Sequence, residues 1–488
     1  MLRTVCPQRT MWEELLPAEC QRLPVELERV DRLLDDRALF TPFRPFFDPE
    51  FGRPSIPLET YVRMMWLKHR YRLGYETLCR EVADSLGWRR FCRIPLGESV
   101  PHPTTLAKIT RRCGPAVVDQ LNDMLLARAA AEKVVRLERV RADSTVVPAN
   151  VRYPSDAGLL ASAIAMVVMV VARVHRAGGA VRTRVRNRRR AARRRTHALG
   201  ASLRRRSGDA QTEVFALTAE LAELAELTVV DATRVIVNAR RTITRRGRAA
   251  SGRLQRAVAD LDDALMVTTR VIAQTRRRLA GDMPAGHDRL VSFHDRDARP
   301  IRKGRLGKPV EFGYKGQVVD NVDGLVLDHS IHQANPPDAG LLLPAIARVA
   351  NRFRRVPRAV TADRGYGQPS VDAGLHDLGV KFVAIPRAGR ADTARRREQA
   401  TRRFRRLVKW RTGCEGRISS LKHGYGWDRT LLVGLDGTRI WCGWGVLAHN
   451  SRRISELIHE RDDRRDRRRW RSAAIDPPGD PPRNTVAA

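Results

Sequence analysis

Trp410 to Trp427 reads WRTGCEGRISSLKHGYGW, and its charged residues are spaced in a way that could do chemistry. Glu415 lies four residues after Arg411 and seven before Lys422. At about 100° per residue these offsets bring all three side chains onto one stripe of an α-helix. Ser419 falls close to that stripe, while Ile418 and Leu421 can turn towards a core. A carboxylate between two cations would serve where a metal ion and a phosphate backbone are held side by side. The plainer alternative is a solvated helix with paired charges. What separates the two is whether other acids come to meet Glu415.

Two acids have the placement to do so. RVRADSTVVPAN alternates as a strand, with Arg141, Asp143 and Thr145 on one face. A carboxylate in mid-strand is costly unless paired or metal-bound, which singles out Asp143. In RAVTADRGYG a short apolar strand ends at Asp363 and breaks at Gly365 and Gly367. The order is then a strand with Asp143, a helical insertion, a three-strand meander, a helix, a strand ending in Asp363, a further strand, and the helix with Glu415. Two strand acids and one from a helix packed across them can converge at one end of a mixed sheet. Such a cluster needs a counter-charge. Mg²⁺ (or Mn²⁺) supplies it, and two such ions support an in-line displacement at phosphorus.

The elements that must position these residues follow from periodicity. Residues 1–50, with the proline-rich FTPFRPFFDPEFGRP, read as an extended arm. Residues 51–137 read as a helical DNA-binding or dimerisation domain, with Thr104 as the cap of a short basic helix carrying Lys108, Arg111 and Arg112. Residues 138–154 begin the sheet. Residues 155–285 are rich in arginine and keep a three-four apolar spacing at Val214, Leu217, Leu221 and Leu224, and again at Leu254, Val258, Leu261 and Leu265. We read them as a long helical hairpin with an apolar seam and basic outer faces, suited to DNA. Residues 286–459 complete the sheet, with Lys315 on the middle meander strand as a further candidate phosphate contact, and residues 460–488 read as a charged, disordered tail.

The bulk numbers agree with a polyanion as partner. The chain of 488 residues carries 91 Lys and Arg against 54 Asp and Glu, a net charge of +37. A field of that sign favours nucleic acid first and an anionic membrane second. An apolar share of 42% excludes wholesale disorder. The seven cysteines show no CxxC pair or zinc-ligand spacing, which points to a reducing cytosol. The N-terminus has no secretion signal pattern. The apolar run from Ala157 to Ala172 is short for a bilayer span and reads as a buried helix.

Taken together, the chain resembles bacterial insertion-sequence transposases of the DDE type. It is most similar to the broad insertion-sequence four/five group, and within it to the ISNCY group, whose members carry a helical insertion after the first catalytic strand. DST at Asp143–Thr145 looks like the first-acid region, TADRGYG with Asp363 like the second, and Arg411, Glu415 and Lys422 fit the R-x3-E-x6-K part of the third. One departure is plain: Val408 stands where that signature opens with tyrosine. The resemblance implies an α/β ribonuclease-H-like core, a mixed sheet with helices on both faces, after an all-α N-terminal domain. It implies cleavage at transposon ends by water and transfer of the freed 3′-hydroxyl to target DNA, with Asp143, Asp363 and Glu415 holding the metals. Arg411 and Lys422 would contact end-DNA phosphates. The partners implied are terminal inverted repeats, target DNA and a second copy in a homodimer, in the bacterial cytoplasm and not at a membrane. A catalytically inactive or domesticated DNA-binding derivative and a nucleoid-like basic protein are the competing classes. The latter gives no reason for three acids in this order.

Overall fold

The computed structural model describes residues 15–204, 209–247, 251–303 and 309–475. The first elements among the described residues are α1 (Val25–Leu34) and a 3-10 stretch, Arg37–Phe46. Over residues 15–50 the expected extended arm is thus corrected to folded elements; residues 1–14 of it lie outside the described residues. Pro42 and Pro45 fix φ near the value that 3-10 turns need, and Leu39 and Phe43 turn inward and are buried. Next come α2 (Leu58–Arg70), α3 (Tyr75–Asp84), α4 (Leu86–Phe91) and α5 (Pro103–Ala131). His102, not Thr104, caps α5, and Gly114 interrupts it with a left-handed φ of 67° just before Pro115. α2 is buried on all sides, as a helix apolar around its circumference must be. Two of its charged residues find partners inside: Arg63 pairs with Asp31 at 2.9 Å, and the Lys68 ammonium donates to the Leu73 carbonyl at 3.0 Å between the rings of Tyr75 and Trp441.

β1 (Arg139–Pro148) begins the sheet, and among the described residues four helices follow it: α6 (Asp156–Arg176), α7 (Arg189–Ser202), α8 (Asp209–Arg246) and α9 (Gly252–Leu279). The expected two-helix hairpin is corrected here to a four-helix bundle with an apolar core of its own. The run from Ala157 supplies Leu160, Ile164, Val167, Val171 and Val174 to that core. α6 is long and apolar enough to cross a bilayer, yet it packs against α9 and α8. α7 joins through Ala192 and Leu199, hidden among arginine stems.

The sheet resumes with β2 (Arg299–Arg302), β3 (Val310–Asn321) and β4 (Val326–His332), then α10 (Ala339–Phe353), β5 (Ala359–Ala362), α11 (Pro369–Asp377) and β6 (Phe382–Ala384). β3 is its spine. It pairs antiparallel with β1 along one edge and with β2 and β4 along the other, while β1, β5 and β6 run parallel. The result is a mixed sheet in an α/β architecture. α12 (Thr393–Ala400), α13 (Arg402–Arg411), α14 (Gly413–Tyr425) and α15 (Gly434–Ile475) complete the chain. α15 runs through residue 475, so the stretch from 460 begins as helix and not as a disordered tail; residues 476–488 lie outside the described residues. The N-terminal helices, the sheet and α15 share one continuous apolar core, whereas the bundle's core is separate.

Candidate active site

Register brings the first two acids level. Ala142 lies opposite Ala362 in the parallel β1–β5 pair, so Asp143 and Asp363, each one residue further on, lie at the same height. Asp143 stays on β1, its carboxylate accepting the Ser144 amide at 2.8 Å. Asp363 has just left β5 and caps the short 3-10 turn of Arg364–Tyr366 through the Arg364 amide at 2.7 Å.

Helix α14 brings the third acid by way of a buried ionic lock. Arg141, two residues before Asp143, lies opposite Asp320 on β3 and forms a two-point pair with it at 2.8 and 2.9 Å. Arg417, two residues after Glu415, reaches the same Asp320 at 3.4 Å. A third Arg141 nitrogen donates to the Trp410 carbonyl at 2.7 Å, and its guanidinium lies 4.5 Å from the centre of the Trp410 ring. Asp320 is fully buried and Arg141 nearly so. A charge pair that far from water persists only when its remaining donors are occupied, as they are here. Gly413 gives the lock its room: a side chain there would collide with the Arg141 guanidinium. The Asp143 strand and the Glu415 helix are thereby fixed to one buried carboxylate.

The lock also explains a break in the expected helix. In one continuous helix the Trp410 carbonyl would accept from residue 414; here it accepts from Arg141 and from the Thr412 amide. α13 ends at Arg411 and α14 starts at Gly413. Arg411 is therefore the last residue of one helix and Glu415 lies in the first turn of the next.

Arg411 closes the arrangement. Its guanidinium lies 3.3 Å from the Asp143 carboxylate and 4.0 Å from that of Asp363. Burial pushes the Asp143 carboxyl up to about 6; the Ser144 amide and Arg411 oppose that rise, while the charges of Asp363 and Glu415 add to it. Two acids, one from the end of β5 and one from α14, thus act on the carboxyl of a third on β1. Oxygen-only donors, one of them raised chiefly by burial and further by its acid neighbours, suit a hard divalent cation. Among the described residues, however, no three Asp, Glu, His or Cys side chains are gathered closely enough to hold a metal as they stand. Arg411 is the counter-charge between the two strand acids. Cys414, beside Glu415, is buried, and burial raises its thiol, so no thiolate nucleophile competes.

The other expected residues divide. Lys422 is half-buried further along α14. Lys108, Arg111 and Arg112 are exposed together on α5, Arg112 stacked on Phe47. Lys315 is corrected: it is buried, 2.8 Å from Asp338 and donating to the Pro336 carbonyl at 2.6 Å, because the central strand β3 is covered on both faces. It cannot meet a phosphate from there. Tyr366 is buried beneath the site, where its hydroxyl accepts from Gln317 at 3.3 Å, and His423 is exposed. The residue that sequence reasoning missed is Asp320. Its only signal was an acid in an otherwise apolar strand, QVVDN, facing Arg141 across a register that no spacing reveals.

Comparison with known proteins meets this geometry. Residues 11–112 match a family described as Transposase domain (DUF772), and residues 286–451 match one described as Transposase DDE domain. The second match contains Asp363 and Glu415; Asp143 lies between the two matches, on β1 ahead of the bundle. An "Uncharacterized protein ORF8 in nfe locus" of Rhizobium meliloti is 28% identical over 131 residues, 26% of this chain and 63% of that protein. The chain therefore spans somewhat less than two thirds of that relative's length. No solved structure matches the chain.

Proposed function

We propose, from the premise of two transposase domains in one chain, that the protein is an insertion-sequence transposase of the DDE type with Asp143, Asp363 and Glu415 as its catalytic acids. Its fold reads as a ribonuclease-H-like core interrupted after β1 by the four-helix bundle, in the manner of the insertion-sequence four/five group and its ISNCY members. The observation that carries the proposal is Arg411, in contact with both strand acids, which the β1–β5 register sets level.

The reaction is hydrolysis of a phosphodiester at each transposon end, followed by attack of the freed 3′-hydroxyl on target DNA. The three carboxylates would hold Mg²⁺ or Mn²⁺, which supplies charge for an activated oxygen nucleophile and for the leaving oxygen. The chain's own residues do the rest. Arg141, Asp320 and Arg417 keep Asp143 and Glu415 in register, and the β1–β5 pairing sets Asp363 beside them. Arg411 neutralises the acids in the free protein and would turn to a non-bridging phosphate oxygen when DNA arrives, as a planar guanidinium suits. Lys422 and, on α5, Lys108, Arg111 and Arg112 would contact backbone away from the cut. The partners are terminal inverted repeats, target DNA and a second copy, since two ends must be joined.

The test is cleavage of a duplex carrying the sequences that border the gene, in Mg²⁺. The parent should cut near the repeat end, and Asp143→Ala should bind the same duplex without cutting it. An alanine variant that cuts as fast as the parent would remove Asp143 from the site. A parent that binds the repeats and never cuts would favour the inactive, DNA-binding derivative.

A further inference from the structure

At the other ends of the same strands lies a groove of about 770 Å³, with Arg139 and Arg358 at the starts of β1 and β5 and Arg402, Arg403 and Arg406 on α13. Glu138 is the one carboxylate among its lining residues. The five arginines make no ion pair with any described residue, although arginines elsewhere find acids. Arg395 on the neighbouring helix pairs with Glu398 and Asp372, and Arg417 with Asp320. Three of the five lie instead against aromatic rings, Arg139 on Trp410 and both Arg358 and Arg403 on Phe382. A guanidinium stacked on a ring keeps its donors free and its plane fixed, the form in which arginine grips phosphate. Arg402 and Arg403 also open the first turn of α13, whose unpaired amides carry the same sign.

Two routes measure how far this groove is from the acids. Along β1, four residues separate Arg139 from Asp143, about 13 Å at ~3.3 Å each. Along α13, nine residues separate Arg402 from Arg411, about 13.5 Å at ~1.5 Å each. The routes agree, and the distance equals about four nucleotides of duplex axis at ~3.4 Å per step. Between the two sites α13 exposes Arg405 and Lys409 and buries Phe404 and Leu407, so the path from groove to acids stays basic.

We propose that this groove is a second phosphodiester-binding site, which holds the DNA backbone about four nucleotides from the bond that the three acids cut. The inference rests on the transposase reading, and it assigns to β1, β5 and α13 a role in placing the duplex that is separate from the chemistry.

The experiment measures binding of the full chain to fluorescent duplexes that extend stepwise beyond the cleavage point on either side, over a range of salt. For the parent, affinity should rise once one arm passes about four nucleotides. The variant Arg402→Gln/Arg403→Gln/Arg406→Gln should lose that rise. Its slope of log affinity against log salt should be shallower by about 2.7, some 0.9 for each phosphate that the variant no longer neutralises. The corresponding triple lysine variant should restore most of the slope. Because Arg403 lies against Phe382, Arg402→Gln/Arg406→Gln serves as a second variant that touches no ring; its slope should fall by about 1.8. Equal slopes and equal length dependence in parent and variants, with cleavage intact, would overturn the groove alone. A parent that ignores its terminal duplex and binds vesicles of anionic phospholipid would overturn the transposase reading with it.

Discussion

Replacing Asp143 with asparagine should stabilise the metal-free protein at neutral pH while abolishing cleavage. The carboxyl is held up at about 6 against an ordinary 3.8, chiefly by burial. An acid whose pKa is higher folded than unfolded favours folding only in its protonated form. That contribution is complete below about pH 4 and is lost as pH rises through about 6. About two units at ~1.36 kcal/mol each make the ionised carboxylate a cost of roughly 3 kcal/mol at neutral pH. Asparagine removes that cost and keeps an oxygen for the Ser144 amide, but it takes one partner from Arg411, which retains Asp363 at 4.0 Å. The net gain should be about 1–3 kcal/mol. Urea unfolding in chelator, followed by the fluorescence of the buried Trp427 and Trp444, reads it directly. The variant should unfold later than the parent near pH 8, and the gap should close towards ~pH 4. Mg²⁺ at about a hundred times its dissociation constant should then stabilise the parent by about 2.7 kcal/mol and the variant by much less. A variant less stable than the parent near neutral pH, or a gap that does not change with pH, would refute the reasoning.

Two further outcomes follow from the same geometry. Asp320→Asn leaves Arg141 as a buried cation and Arg417 as a half-buried one without their acid, and should cost about 3–5 kcal/mol in urea unfolding; Asp320→Asn combined with Arg141→Met should recover much of it. A loss below about 1 kcal/mol for the single change would mean that the lock does not hold β1 to α14. On the bundle, Arg189, Arg190, Arg193 and Arg194 are exposed on α7. Changing all four to glutamine should leave stability unaltered and make the salt dependence of end binding shallower by up to about 3.6. An unchanged slope would make the bundle a spacer or an oligomerisation arm.

The order of the three acids was legible because it rests on local signals. Period-two alternation put Asp143 on a strand, the glycines after Asp363 marked a strand end, and helical spacing put Glu415 on a helix. What the sequence hid was non-local. Spacing alone joined Arg411 to Glu415 in one helix, since nothing local says that Arg141 claims the Trp410 carbonyl. Lys315 looked accessible because a lysine in a strand usually faces water, but β3 has neighbours on both edges and layers on both faces. The bundle read as a hairpin because only α8 and α9 keep a clean apolar seam. α6 is apolar nearly all round, and α7 hides two small contacts under its arginines. The arm read as extended because prolines mark extended chain and 3-10 turns alike.

The central claim is that Asp143, Asp363 and Glu415 work as one unit. Single-turnover cleavage of the terminal duplex by the three single alanine variants and the triple variant tests it most directly. Groups that act together are non-additive, so each single change should slow cleavage by about 10³-fold or more, and the triple variant should be little worse than the worst single one. Losses that multiply from one substitution to the next, or any single variant that cuts at the parent's rate, would contradict a shared site.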